Sequence, residues 1–568
     1  MSADDESFHP LGKEWEGELE EMLDDTEYDT DLGMEMAQDA MRVTKGELSE
    51  AEFHEKYHDD VMDEFGVDDR PTEEAYEAAQ EEAKGTVGRM LSAFDGDGEE
   101  TRRETMKKMG VGAAAVGLGA WGATDDGPEA DFAAADDAAD GGDDDGIQWG
   151  MTIDLERCDG CLSCVDACSE ENQLDQGVNW MYVLQFADED NQEPGHHPAG
   201  GFENMLVRPC QHCTDAPCEK VCPTTARHTR DQDGLVLTDY DVCIGCRYCQ
   251  VACPYGVNYF QWNEPDVEYE DIPENASEHP AAHVPADADP EDVTYSEYDD
   301  LDDDRWVDAR APRGVMSKCT MCPTHQDGSQ GEEHIGHTAC EDACPPGAIQ
   351  FGNVNDELSD PQRYAENPSR GRSLERLAIP DPEELEDALE GEDDDLESVL
   401  DAVDFQAMDG DITTDAEGLG ILLALEITGG EQMGNGPEVE NHSDFVHYEQ
   451  EVLDVLEVLE DHGLDLDSQE VLAELDLADP LEEDEDEDDD FEPDEDDAQF
   501  LLQRFAGVQT SSFKLLEEYG TNPNITYIGS EPGPNAEQIE GPVQYDSVDL
   551  TDNRKEVLDD DTVTGGMY

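Results

Sequence analysis

The stretch Cys158-Asp159-Gly160-Cys161-Leu162-Ser163-Cys164-Val165-Asp166-Ala167-Cys168 sets four cysteines in a C-x2-C-x2-C-x3-C pattern. The same pattern returns at Cys243, Cys246, Cys249 and Cys253, with Pro254 behind it. Two variants accompany it. Cys210, Cys213, Cys218 and Cys222 read C-x2-C-x4-C-x3-C before Pro223, and Cys319, Cys322, Cys340 and Cys344 read C-x2-C-x17-C-x3-C before Pro345. All 16 cysteines of the chain fall in these blocks. Three thiolates two residues apart fit the corners of one cubane when the backbone wraps it tightly. A fourth, on a short helix that points away, ligates the other cluster of a pair. The following Pro is pre-set for a helical first turn and lacks the donor that would be orphaned there. Structural zinc uses two separated C-x2-C pairs and needs no third Cys two residues on. A disulfide framework suits a short secreted domain, not a stretch inside a long chain. The spacing points to four 4Fe–4S clusters.

Outward from these blocks the chain turns strongly acidic. Its 568 residues carry 151 Asp and Glu against 29 Lys and Arg, a net charge of −122. Phosphate binding needs clustered cations, so nucleic acid is excluded as a partner of the bulk surface, and so is a polybasic grip on anionic lipid. No run of 18 apolar residues exists, so the chain does not itself span a membrane. The length exceeds one core and implies several units. Local disorder explains the all-acid run Glu482 to Asp490. A surface adapted to high salt explains acids spread over segments with helical periodicity, and marks the chain as halophilic. Residues 206–262 depart from this trend. Six acids (Asp215, Glu219, Asp231, Asp233, Asp239, Asp241) meet five bases (Arg208, Lys220, Arg227, Arg230, Arg247), a net of −1. Burial and the anionic character of thiolate-bound clusters would both favour such relief.

Other segments read as additions. Residues 1–100 form an acidic helical extension, in which Ser49 and Glu52 make a capping box and Phe53, Tyr57, Val61 and Phe65 share one helix face. The expected role is a small helical core or a partner-docking helix pair. Residues 101–124 hold Arg102-Arg103 before a Gly/Ala-rich weakly apolar stretch, similar to a twin-arginine export signal; a basic helix end is the plainer alternative. An acidic linker spans 125–146, an acidic insertion 266–304, and a larger one 361–509, where Gly420 to Ile427 and Val452 to Leu459 predict helices. Leu235-Val236-Leu237 predicts a short strand, His196 and His197 a loop, and 531–568 an acidic tail.

Four such blocks in this order resemble the iron–sulfur subunit of the DMSO, polysulfide and tetrathionate reductase group of respiratory molybdoenzymes. The resemblance covers about 147–355 plus a return near 510–530, where Ser511 to Pro523 looks like the family's closing helix and turn, with Thr526 to Ile528 extended behind it. It implies an α+β fold of two interleaved bacterial-type ferredoxin modules, with blocks one to three over 147–265 and block four over 305–360. One cluster would then take Cys158, Cys161, Cys164 and Cys344, and its neighbour Cys319, Cys322, Cys340 and Cys168. The second pair would use Cys210, Cys213, Cys218 and Cys253, then Cys243, Cys246, Cys249 and Cys222. A related nitrate reductase subunit has Trp where Cys246 stands and carries a three-iron centre there, so Cys246 favours four cubanes. The long gap in block four, with Gly328, Gly331 and Gly336, looks like an enlarged loop.

The implied role is electron relay, with no bond chemistry in this chain. Electrons would pass between a quinol-linked, multi-span membrane anchor and a molybdopterin catalytic subunit, on the extracytoplasmic face after export. A cytoplasmic multi-cluster ferredoxin shuttle and a scaffold with structural clusters are the alternatives.

Overall fold

The computed structural model describes residues 12–71, 146–187, 204–262, 297–307, 311–480, 493–532 and 537–540, except 25, 173, 175–177, 301–302, 308–310, 404, 408–413, 436–442, 494 and 509–510. Arg102, Arg103, the 125–145 linker, His196, His197 and the Glu482 to Asp490 run lie outside the described residues.

The strand Trp149–Asp154 is buried along its whole length. It pairs antiparallel with Ile349–Asn353 and parallel with Ile525–Ile528, and Ser512–Phe513 adds an antiparallel edge. This sheet closes the cysteine core with strands from three distant stretches. The segment read as a closing helix differs from expectation. Only one 3-10 turn, Glu517–Tyr519, forms between the strands Ser512–Phe513 and Ile525–Ile528. Leu516 and Gly520 both take positive φ, which breaks the helix on either side. Smaller antiparallel pairs complete the core: Arg227–Thr229 with Val236–Thr238, and Tyr259–Phe260 with Met316–Ser317. Part of the expected tail, Glu537–Glu540, returns as a strand beside Val183–Ala187. Within the 266–304 insertion, Glu297–Asp300 starts a hairpin with Asp303–Trp306.

The acidic extension forms helices Gly12–Asp24, Thr30–Thr44 and Glu50–Phe65, the last with the Ser49/Glu52 capping box. They are not a separate core. Leu23, Met36, Phe53, Tyr57 and Val61 share one apolar cluster with Tyr248 and Val251 of block three. Tyr248 donates to Asp29 O at 2.7 Å, Tyr28 donates to Ile244 O at 3.3 Å, and Lys220 pairs with Glu50 at 3.1 Å. Gly520 lies where a Cβ would come 2.3 Å from Thr44 O, so only glycine lets the returning segment approach this helix. Amphipathic periodicity exposes the buried face in sequence but not what covers it.

The 361–509 stretch is a helical unit with its own core. Leu385, Val399, Leu422, Val452, Leu456 and Leu502 pack together, and Ile528 of the sheet joins them. Its first helices, Asp360–Glu366 and Pro368–Arg376, are not acidic surface; Arg363, Arg370 and Arg372 are buried. Arg372 Nε donates to Asp154 Oδ2 at 2.6 Å and Tyr364 donates to the same oxygen at 2.9 Å. This fastens the unit to the central strand. Arg363 and Arg370 both pair with buried Glu449.

Candidate metal centres

Backbone conformation explains the spacing of the cysteines. Gly160 and Leu162 in block one have φ of 70° and 67°, and Gly245 and Arg247 in block three have 68° and 67°. Two left-handed residues between three cysteines curl the chain so that successive thiols face one point. Gly245 cannot be replaced, because a Cβ would stand 2.1 Å from Gly314 O. The helix Ser163–Glu171 then carries Cys168 away, and Tyr248–Ala252 does the same for Cys253 at its C-terminal end. The first of these helices packs on Ala339–Asp342 of block four, and the second on Pro217–Lys220 of block two.

The side chains gather in groups of four. One cavity is lined by Cys222, Cys243, Cys246 and Cys249, another by Cys210, Cys213, Cys218 and Cys253, and a third by Cys168, Cys319, Cys322 and Cys340. They hold about 330, 330 and 290 Å³ of empty space, part of it open to solvent. Cys158, Cys161, Cys164 and Cys344 form the fourth group, where each of the other three raises the pKa of Cys164. Neighbouring groups interact through Cys249 and Cys218, Cys210 and Cys319, and Cys164 and Cys168, so each group is near the next.

The donor set decides what can sit there. All sixteen thiols are free of disulfides. Burial is the main cause that pushes Cys158 and Cys322 up to about 12 and Cys249, Cys319 and Cys344 up to about 11. Four such thiols ionise together only around compensating positive charge. Among the described residues no three cysteine sulfurs lie within 4.8 Å of one another; the trio that does meet this limit is His337, Glu341 and Asp342. Tetrahedral zinc with bonds of about 2.3 Å would draw its sulfurs roughly 3.8 Å apart. Four thiols spread around a cavity of about 290 to 330 Å³ fit a cofactor with several metal atoms.

Hydrogen bonds to sulfur complete the sites. Ala348 N–H donates to Cys344 Sγ at 3.2 Å and Arg227 N–H to Cys222 Sγ at 3.3 Å. Asn172 Nδ2 donates to Cys168 Sγ at 3.6 Å, and Thr338 Oγ1 lies 3.4 Å from Cys340 Sγ. His212, inside block two, bridges the groups: Val236 N–H donates to its Nδ1 at 3.1 Å, and its Nε2 lies 2.9 Å from Cys319 O. These contacts fix the neutral tautomer with its proton on Nε2, and burial with nearby Lys318 holds its pKa well below the ordinary value. Sequence reading did not single out Asn172, His212, Lys318 or Thr338. The charge relief over 206–262 was the only hint of Arg227.

Comparison with known proteins agrees with this geometry. A family model described as the N-terminal region of 4Fe-4S ferredoxin iron-sulfur binding matches residues 9–73, and a 4Fe-4S dicluster domain matches 202–271. An iron-sulfur subunit of dimethyl sulfoxide reductase, so named in Halobacterium salinarum, is 38% identical over 222 residues, 38% of this chain and 70% of that one. The iron-sulfur cluster-binding subunit of menaquinone reductase from Nitratidesulfovibrio vulgaris is 31% identical over 258 residues, 42% of this chain and 87% of its own. The iron-sulfur subunit of arsenate respiratory reductase from a Shewanella species is 34% identical over 216 residues, 38% of this chain and 85% of its own.

Proposed function

The chain belongs to the family of iron–sulfur subunits of dimethyl sulfoxide reductase-type enzymes, and from that premise we propose that it relays electrons through four 4Fe–4S clusters. The gathering of the thiols into groups of four carries this reading, three of the groups lining cavities of about 330, 330 and 290 Å³. Two interleaved modules supply the ligands: Cys158, Cys161, Cys164 with Cys344; Cys319, Cys322, Cys340 with Cys168; Cys210, Cys213, Cys218 with Cys253; and Cys243, Cys246, Cys249 with Cys222. The support is that Cys222, Cys253 and Cys168 each line the cavity of the partner block, and Cys344 acts on Cys164 together with Cys158 and Cys161. When bound, the clusters supply reversible one-electron couples. The protein orients them, limits water and tunes them through hydrogen bonds to sulfur and local charge.

The partners we propose are a molybdopterin catalytic subunit and a multi-span membrane anchor that exchanges electrons with quinone. No helix among the described residues is long and apolar enough to cross a membrane. Export by the twin-arginine route would act through Arg102 and Arg103. Residues 12–71 are built into the core, so such a signal would work without removing them. The acid excess suits a molar-salt environment, where the Debye length is about 3 Å instead of 10 Å at 0.1 M. The test of the relay is a redox titration of the anaerobically purified chain followed by paramagnetic resonance. Reversible one-electron couples from interacting pairs are expected. A protein with bound iron and no reversible couple would be a scaffold.

A further inference from the structure

Charge relief near the cysteines takes a specific form at Arg227. The residue is 1% exposed and lines the cavity of Cys222, Cys243, Cys246 and Cys249. Its Nη2 donates to Cys249 Sγ at 3.8 Å and to Asn258 Oδ1 at 2.9 Å, and Asn258 Nδ2 donates to Cys249 O at 3.1 Å. Nε and Nη1 are buried with no protein partner. Among the described residues no carboxylate is ion-paired with it, whereas Arg230 is held by Asp233 and by Asp327 at 2.8 Å. A buried guanidinium without a counter-charge is strongly unfavourable. The strand Arg227–Thr229 packs on the helix Pro217–Lys220, which holds Cys218, and the charges that act on Arg227 belong to Cys249 and Cys243 of one group and Cys218 and Cys210 of the next.

We propose that Arg227 is the shared counter-ion of the two centres between which it lies, and that its fixed charge raises the reduction potential of both. The inference rests on the cluster reading above. An electron that passes between these centres makes the acceptor more negative by one unit and the donor less negative by one. Arg227 faces both, keeps its proton throughout, and needs no rearrangement of solvent. At the centre of Cys168, Cys319, Cys322 and Cys340 the side chain that reaches sulfur is a neutral amide, Asn172, whose Nδ2 lies 3.6 Å from Cys168 Sγ and 4.0 Å from Cys322 Sγ, while the buried ammonium of Lys318 is turned to the carbonyls of Val236 and Cys319. Arg227 should thus act on the two centres it lies beside and leave the centres of Cys158 and Cys319 unmoved.

The test compares full-length Arg227→Met and Arg227→Lys with the parent chain, first by iron and sulfide content and then by redox titration. Arg227→Met should keep its iron while two centres become at least tenfold harder to reduce, about 59 mV for a one-electron couple, and the other two stay put. Full iron with four unchanged potentials would overturn the proposal. Should Arg227→Met fail to load iron, Arg227→Lys decides alone, since it keeps the charge and loses the planar fork. Potentials that move by less than half that amount support a counter-ion, and a full tenfold fall contradicts it. A parent chain without iron or without any reversible couple would instead defeat the cluster reading itself, before any variant is compared.

Discussion

The two halves of the cysteine core share a backbone plan and differ in everything around it. Blocks one and three wrap their thiols with matching left-handed pairs, Gly160/Leu162 and Gly245/Arg247. Yet blocks two and three are covered by the N-terminal helices and hold Arg227 between their thiol groups. Blocks one and four lean on the central sheet, place the neutral amide of Asn172 against Cys168 Sγ, and are tied through Asp154 to the helical unit. Ligand geometry is thus a local property of a few turns, while the environment that tunes it comes from segments far away in the chain.

The proposed exchange of fourth cysteines between blocks is most open to attack, and breaking it should have the largest effect. Cys253→Ser should convert the centre of Cys210, Cys213 and Cys218 to a three-iron form or abolish it, because oxygen is the poorer ligand. The centre of Cys243, Cys246, Cys249 and Cys222 should keep its iron. Cys168→Ser should act likewise on the centre of Cys319, Cys322 and Cys340. Spectroscopic assignment of the altered centre in each variant is the check; damage confined to the variant's own block would contradict the exchange.

The support of the second half can be broken at Asp154. Asp154→Ala leaves Arg372 and Tyr364 buried without their shared acceptor. The expected loss is about 3 kcal/mol, seen as a lower denaturant midpoint for the helical unit.

A smaller effect sharpens the same contrast by pH. Asp360 accepts hydrogen bonds from the N–H groups of Asp444, at 2.8 Å, and Phe445, at 3.2 Å. Burial nevertheless pushes its carboxyl up from 3.8 to about 6. Folded protein therefore holds a proton that unfolded protein releases between these values. Stability should fall, by at most about 3 kcal/mol, as pH rises through that window. Asp360→Asn should flatten the slope; an unchanged slope in equilibrium unfolding would assign it to another group.

The cysteine blocks were legible because ligand spacing is set within a few residues. The Ser49/Glu52 cap and the Phe53, Tyr57, Val61 face were legible for the same reason. Which helix covers Tyr248, and that Asp154 meets Arg372 across 218 residues, were not, since each depends on long-range docking. Arg363, Arg370, Arg372 and Arg376 in so acidic a chain were a usable signal that 360–376 is interior and not an acidic insertion. The strand at Ser512–Phe513 was missed because its pairing partner, not its composition, makes it extended.

Everything proposed for this chain requires multi-iron clusters in these thiol groups. Metal and acid-labile sulfide analysis of the anaerobically purified full chain tests it most directly. Four cubanes predict about sixteen iron and as much sulfide per chain. Stoichiometric zinc with little iron or sulfide would contradict it.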